Sequence, residues 1–321
     1  MAERPGAEHP SPSDGTSPGK GSSDFLYEGV MVVYFSRPHV VELLKLLPEE
    51  LPLAIVDNSK GRDQVEELVA GRPNCRYQYG AGEGFAKAAN LAARESTYEY
   101  LVFINPDSRP SVEVLNALVG DLVADPGLVA TAAATTEPGG RIEFGSGGWE
   151  PTVRRALTHM LGLHKIFPQA GLWARPVPYK PIKLDWLNGA CLAVRKSVFL
   201  ELGGFDERYF VYNEDMSFGR RVRTSGLRQR LRTDLLVPHA SGGSGADKNA
   251  MMRLRGAAMV DYLRHHNPER QAAIMRTALV VGSAIRLAVF SVWRFHHATR
   301  PGQERAYLAG LLWGRGDAIN A

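Results

Sequence analysis

Glu214 and Asp215 stand side by side after the aromatic run Tyr209-Phe210-Val211-Tyr212. Carboxylates against apolar surface are costly to bury, and burial without a partner raises their pKa. Such a pair can accept a proton or hold a cation. It can also complement the positive end of a helix and pair with the arginines that follow at 220, 221, 223, 228, 230 and 232. Asn105-Pro106-Asp107 ends the most apolar extended stretch of the chain, residues 98–107. A carboxylate fixed by a proline turn suits a divalent ion that already carries phosphate oxygens, because such an ion needs few protein ligands. The same tripeptide also makes a plain type I turn. Asp57, after Leu-Ala-Ile-Val, can accept hydrogen bonds from a ribose or a base, or close its own strand as an Asx turn. His239, in VPHASGGS, is either a metal ligand or a structural imidazole.

Gly80, Gly82 and Gly84 precede an Ala-rich helical segment. Backbone N–H groups of such a turn can cradle phosphate, and the turn can equally let the helix approach a sheet. Position 85 is Phe where the dinucleotide fingerprint needs Gly, and no Gly-Lys-Ser/Thr follows, so neither that motif nor a P-loop is present.

These residues need elements to hold them. Short β-branched or aromatic runs at 30–35, 53–58, 75–80 and 98–107 predict strands. Between them, 38–47, 62–70, 84–96 and 111–124 are helical in period, with Pro48 and Gly71 as stops. This alternation predicts βαβ units and a mostly parallel sheet, an α/β fold in which ligands bind beyond the carboxyl ends of the strands. Asp57-Asn58, Gly80–Gly84 and Asn105–Asp107 all fall at that edge. Residues 135–180 read as a long Gly/Pro-rich connection, of the kind that often forms a lid or binding loop. Residues 249–266 and 268–298 read as helices.

The chain has 321 residues, 44% of them hydrophobic and 22% charged, as expected for a folded protein with a sizeable core. A net charge of +4 is too weak to argue for nucleic acid, and the arginines at 220–232 lack interleaved aromatic residues for stacking bases. No nucleic-acid partner is expected. Cys75 and Cys191 are far apart and form no metal spacing, which suggests free thiols in a reducing cytosol. Residues 1–24 carry no apolar signal segment and are rich in Pro, Ser and Gly. Residues 277–293 are apolar but contain Arg286, which disfavours a membrane span; an interfacial helix and a helix packed on the main domain both remain open.

IVDNS (55–59), GFAKAAN (84–90), FINPD (103–107) and the long segment 186–223 occur in an order that resembles the inverting glycosyltransferases of family 2, in their rhamnosyltransferase-like subgroup. The resemblance covers about residues 30–245. It implies a GT-A fold: a mostly parallel central sheet flanked by helices, a Rossmann-like nucleotide-binding half and a helical C-terminal extension. The implied division is a disordered tail at 1–27 and a catalytic domain at 28–245, with its nucleotide-sugar half at 28–130 and acceptor half at 180–245. A helical region at 246–321 follows, with membrane contact through its helices. Asp57 and Asn58 would meet the nucleotide base or ribose, and Gly84 and Asn90 would lie in the donor segment. Asn105 and Asp107 stand in place of the metal-binding DxD motif; Asn105 replaces its first acid. His239 would complete the site for Mg²⁺ or Mn²⁺. Asp215, paired with Glu214, would be the catalytic base, and Trp186, Asn188 and Gly189 would shape the acceptor pocket.

The implied reaction moves a sugar from a nucleotide-sugar donor, dTDP-rhamnose first and a UDP-sugar second, to a glycan or lipid-linked hydroxyl in polysaccharide assembly. The implied location is the cytoplasm, at the inner face of the plasma membrane. Two other readings compete. A sugar-phosphate nucleotidyltransferase would carry a Gly-rich loop after the first strand, where this chain has SRPHVVE (36–42). A non-catalytic sugar-nucleotide-binding subunit would not need Glu214-Asp215.

Overall fold

The structure, a computed structural model, describes residues 25–240, 247–292 and 300–314. The first half alternates as its hydrophobic pattern requires. β1 (Tyr27–Val33), α1 (Arg37–Leu44), β2 (Leu53–Asp57), α2 (Glu66–Val69), β3 (Cys75–Tyr79), α3 (Phe85–Glu95), β4 (Tyr100–Ile104) and α4 (Val112–Ala124) follow in order. β2 and β4 are buried along their whole length, as expected for parallel strands with helices on both faces. Residues 1–24 of the expected tail lie outside the described residues. Its last residue does not belong to a tail: Tyr27 is 2% exposed and opens β1 opposite Tyr100.

After α4 comes β5 (Leu128–Thr136), a strand absent from the sequence reading. Its LVATAAATT has few of the bulky residues that mark strands, yet every residue is buried. Small side chains suit a strand covered on both faces. The connection expected to be irregular at 135–180 contains β6 (Gly147–Gly148) and α5 (Val153–Met160). β7 (Trp186–Leu187), β8 (Cys191–Arg195), α6 (Lys196–Glu201), α7 (Glu214–Thr224) and β9 (Arg228–Pro238) complete the sheet region. α8 (Lys248–His266), α9 (Glu269–Val292) and α10 (Arg300–Trp313) follow.

Among the described residues, seven strands form one sheet in the order β3-β2-β1-β4-β8-β5-β9. All neighbours are parallel except β8, which runs antiparallel to both β4 and β5. Strand order reverses between β1 and β4, the point beyond whose carboxyl ends open α/β sheets bind ligands in a crevice. One core, with Val56, Phe103, Phe199, Phe205 and Phe218, covers one face of the sheet; another, with Met31, Leu53, Val102 and Leu118, covers the other. A third, with Trp186, Tyr209, Met216, Tyr262, Met275 and Leu311, joins α8, α9 and α10 to the underside of α7.

The arginines at 220–232 are spent on structure. Arg220 and Arg223 hold Glu150; Arg228 and Arg230 reach Asp125; Arg232 bridges Asp121 and Asp234. Arg221 donates to the carbonyls of Leu202 and Gly204. Cys75 and Cys191 are free, Cys191 fully buried.

α8 and α10 pack backbone to backbone. A Cβ on Gly310 would lie 2.1 Å from the Arg253 carbonyl oxygen, and one on Gly256 would lie 2.4 Å from that of Tyr307. Gly310→Ala should therefore force the helices apart and lower stability by about 1–3 kcal/mol, as overpacking does. Urea unfolding measures this; an unchanged midpoint would show that the helices do not meet there.

Candidate active site

β4 delivers Asn105-Pro106-Asp107 to the crevice edge. The turn is pinned from both sides: Asn105 N–H donates to the Ala190 carbonyl at 2.9 Å, and the Ser108 hydroxyl donates to the Asn105 carbonyl at 2.7 Å. The end of β9 crosses this turn. Ala240 N–H donates to the Asp107 carbonyl at 3.0 Å, which brings His239 Nε2 to 3.2 Å from Asp107 Oδ1. The other ring nitrogen, Nδ1, lies 3.0 Å from Glu143 Oε2.

His239 thus sits between two carboxylates. Burial alone would lower its pKa, but the hydrogen bonds to Asp107 and Glu143 outweigh it and raise the value to about 9. No sequence pattern marked Glu143, because it lies in the segment that read as an irregular connection. Among the described residues, no group of three or more His, Cys, Asp or Glu is spaced to hold a metal ion by itself. The donor set nevertheless fits an ion that takes its remaining ligands from phosphate and water. Glu143 fixes the imidazole through Nδ1, as carboxylates commonly do for metal-ligating histidines, and leaves Nε2 beside Asp107.

The acid pair arrives through a strained turn. Tyr212 and Asn213 both adopt left-handed backbone conformations, φ 69° and 70°, immediately before α7 begins at Glu214. That conformation is unusual for a bulky residue such as Tyr and clusters at functional sites. The two carboxyls then diverge. Burial and the neighbouring Asp215 push the pKa of Glu214 up strongly, and its Oε2 has no hydrogen-bond partner. Burial also raises Asp215, but backbone N–H groups of Met216 and Gly189, together with the charge of Arg255, offset part of the rise. Asp215 is therefore the better carboxylate of the two and Glu214 the better holder of a proton.

The WLNG segment connects the two acidic centres. The Gly189 N–H helps to lower the pKa of Asp215, while the carbonyl of Ala190, one residue on, accepts from Asn105 N–H and the Ser108 hydroxyl. Asn188 braces the segment: its Oδ1 accepts from Ala190 N–H at 2.8 Å and its Nδ2 donates to the Gly145 carbonyl. The field of both Asp107 and Glu214 reaches Tyr212 between them. A Cβ on Gly189 would meet no protein atom within 4 Å, so packing does not demand this glycine and the space beside Asp215 is open. Trp186 departs from expectation. It is 4% exposed and packs under α7, where Gly219 admits it, so it supports the pocket from within the core and does not line it.

The donor-side residues also work indirectly. Asp57 is fully buried, with its carboxylate accepting from Ser59 N–H, Gly61 N–H and the Tyr77 hydroxyl. It shapes the loop after β2, as an Asx turn does, and its carboxylate is not presented to a ribose. Asn58 reaches across to the glycine turn, donating to the Gly84 carbonyl at 3.0 Å. Gly84 has φ 108° and a Cβ there would lie 2.2 Å from the Phe210 carbonyl oxygen, so it exists for close approach to the loop before α7. Asn90 is 2% exposed; it donates to the Phe205 carbonyl and Glu207 and accepts from Phe205 N–H. It staples α3 to the Gly-Gly-Phe-Asp-Glu bend rather than facing a donor.

Arg255 of α8 is a further residue that the sequence did not single out. Its guanidinium lies 5.7 Å from the Tyr212 ring centroid and 6.0 Å from that of Trp173.

A single-Asp turn backed by histidine and a buried acid pair stand on a mostly parallel sheet of the GT-A glycosyltransferase type. The family model described as Glycosyl transferase family 2 matches residues 31–176. An N-acetylglucosaminyl-diphospho-decaprenol L-rhamnosyltransferase of Mycobacterium tuberculosis is 28% identical over 223 residues, covering 61% of this chain and 70% of the relative. Rhamnosyltransferase WbbL of Escherichia coli is 24% identical over 213 residues, covering 62% and 78%. The mannosyltransferase PcManGT of Pyrobaculum calidifontis, solved with GDP-Man and Mn²⁺, shares the fold at a TM-score of 0.58 and 15% identity, over 93% of this chain and 91% of that one. The chain is similar to glycosyltransferase family 2 over residues 31–176 and is rhamnosyltransferase-like.

If Asn90 is a staple, Asn90→Ala leaves buried groups of Phe205 unpaired and should cost about 2 kcal/mol or more. Denaturant titration checks this; full stability with weakened nucleotide binding would return Asn90 to the donor site.

Proposed function

We propose that the protein transfers a sugar, rhamnose from dTDP-rhamnose ahead of a hexose from a UDP-sugar, to the hydroxyl of a lipid-linked glycan, with inversion at the anomeric carbon. The observation that supports this most is the Gly189-Ala190 segment: the Ala190 carbonyl holds the Asp107 turn, and the Gly189 amide helps to lower the pKa of Asp215. The names of the rhamnosyltransferase relatives support the sugar and the lipid-linked acceptor.

Asp107 and His239 would hold Mg²⁺ or Mn²⁺. When bound, that ion would offset the negative charge gathering on the leaving nucleoside diphosphate. Asp215 takes the proton of the acceptor hydroxyl as the oxygen attacks the anomeric carbon from the face opposite the nucleotide. Glu214, kept protonated by burial, spares Asp215 a second negative charge alongside. Gly189 leaves room for the acceptor ring, and Asn188 fixes the loop that supplies that room. Asp57, Asn58 and Gly84 shape the donor-side loops without direct contact by the Asp57 carboxylate.

The same reading places the protein at the inner face of the plasma membrane. α9 is long and apolar enough to cross a membrane by length and composition, and most of it is unburied. Its outward residues Ile274, Val281, Ile285, Val289 and Val292 recur at helical spacing. Its inner residues Ala272, Met275 and Leu279 pack on the protein, and Arg286 pairs with Glu304. One face bound and one apolar face outward suits a helix lying in the interface.

Two experiments test these readings. Asp215→Asn should bind nucleotide normally yet lose roughly 10²-fold or more of transfer; a variant keeping half its turnover sinks the base assignment. In the wild type, transfer should rise with pH through the neutral range as Asp215 releases its proton. Fold stability should run the other way. The buried carboxyls keep protons that the unfolded chain gives up, so stability declines as pH rises above the ordinary carboxyl range. For the membrane, Val281→Asp with Ile285→Asp should abolish co-sedimentation with anionic vesicles, and unaltered sedimentation would exclude α9 as the contact.

A further inference from the structure

Arg255 differs from the other arginines around the acid pair. Arg220 and Arg223 are neutralised by Glu150, and Arg286 by Glu304. Arg221 is spent on two backbone carbonyls. Among the described residues Arg255 makes no ion pair or hydrogen bond; the rings of Trp173 and Tyr212 flank its guanidinium, and its charge reaches Asp215. It is half-buried, so its five donors are neither fully hydrated nor used by the protein.

Its position is also fixed. Gly256, the next residue, faces α10 at backbone contact, and Arg255 points about 100° round α8 from it. On that side lie Tyr212, two residues before the acid pair, and Gly145, whose Cβ position is 3.8 Å from the Arg255 Nη2. Gly145 is two residues from Glu143, which holds His239. The guanidinium therefore stands beside the turn that leads to the acid pair and beside the segment that carries Glu143. A planar fork of donors held by aromatic faces is the usual means of binding phosphate oxygens in pairs.

We propose that Arg255 is a phosphate-binding residue of the active site, taking the diphosphate of a substrate as it enters between α8 and the turn before α7. This rests on the glycosyltransferase reading above, in which both the nucleotide-sugar and a lipid-linked acceptor carry that group. It gives the C-terminal helices a part in substrate binding as well as in packing.

The test is binding, without transfer. The full chain, in EDTA, is titrated calorimetrically with inorganic pyrophosphate, dTDP and geranyl diphosphate. Wild type should bind, and Arg255→Met should bind about 10- to 100-fold more weakly, the worth of a charge-assisted hydrogen bond or pair. A loss confined to geranyl diphosphate assigns the residue to the acceptor, and one confined to dTDP assigns it to the donor. Equal affinity of wild type and variant for all three probes overturns the proposal, as does a wild type that binds none at millimolar concentration. Should Arg255→Met fail to fold, Arg255→Lys decides: it keeps the charge but loses the fork, so affinity equal to wild type is again contrary. Because no sugar is moved, this result stands apart from the turnover assay of Asp215→Asn.

Discussion

The Ala190 carbonyl and the Gly189 amide carry opposite ends of the site. The carbonyl accepts from the turn that bears Asp107, and the amide favours the ionised form of Asp215. Only one peptide unit separates these two groups, so the backbone of this short segment ties the two acidic centres to one another. Everything nearby protects that relation. Asn188 braces the loop, Trp186 anchors it in the core, and Gly219 lets α7 settle onto Trp186. Donors and acids held on rigid elements need little reorganisation when charge develops.

Electrostatics then divides labour among groups of similar chemistry. Glu214 and Asp215 are neighbours in sequence, but Asp215 gains more backbone donors and, unlike Glu214, a nearby cation. His239 is raised by two carboxylates, whereas His159, buried beside His164 without an acid, is lowered to about 3. Residue type alone does not give a role; the company the burial imposes does.

This explains what could be read from the chain. Strands β1 to β4 and the crevice at their ends were legible because alternating hydrophobic runs and turns are local signals. The acid pair and the Asn-Pro-Asp turn were legible because their residue types are unusual beside apolar segments. β5 was hidden by its Ala/Thr composition, and Glu143 by a segment with no period. Arg255 had no local mark at all: its meaning comes from rings contributed by residues 173 and 212. Asp57, Asn90 and Trp186 were found at the right edge of the fold but given direct contacts, where the packing makes them supports. Whether a polar residue faces a ligand or a carbonyl depends on tertiary neighbours, which no spacing rule encodes.

The lone antiparallel strand bears on how such a chain can be divided. β8 lies between β4 and β5 in the sheet, although 54 residues separate it from the end of β5 in the chain. A fragment ending at residue 176, where the family match stops, would lack both β8 and β9, leaving one edge of β4 open and β5 without a sheet neighbour. Residues 25–176 are therefore not an autonomous module. During synthesis β5 must wait for later strands to join it to the sheet, and chains interrupted before that moment expose unpaired edges on both β4 and β5.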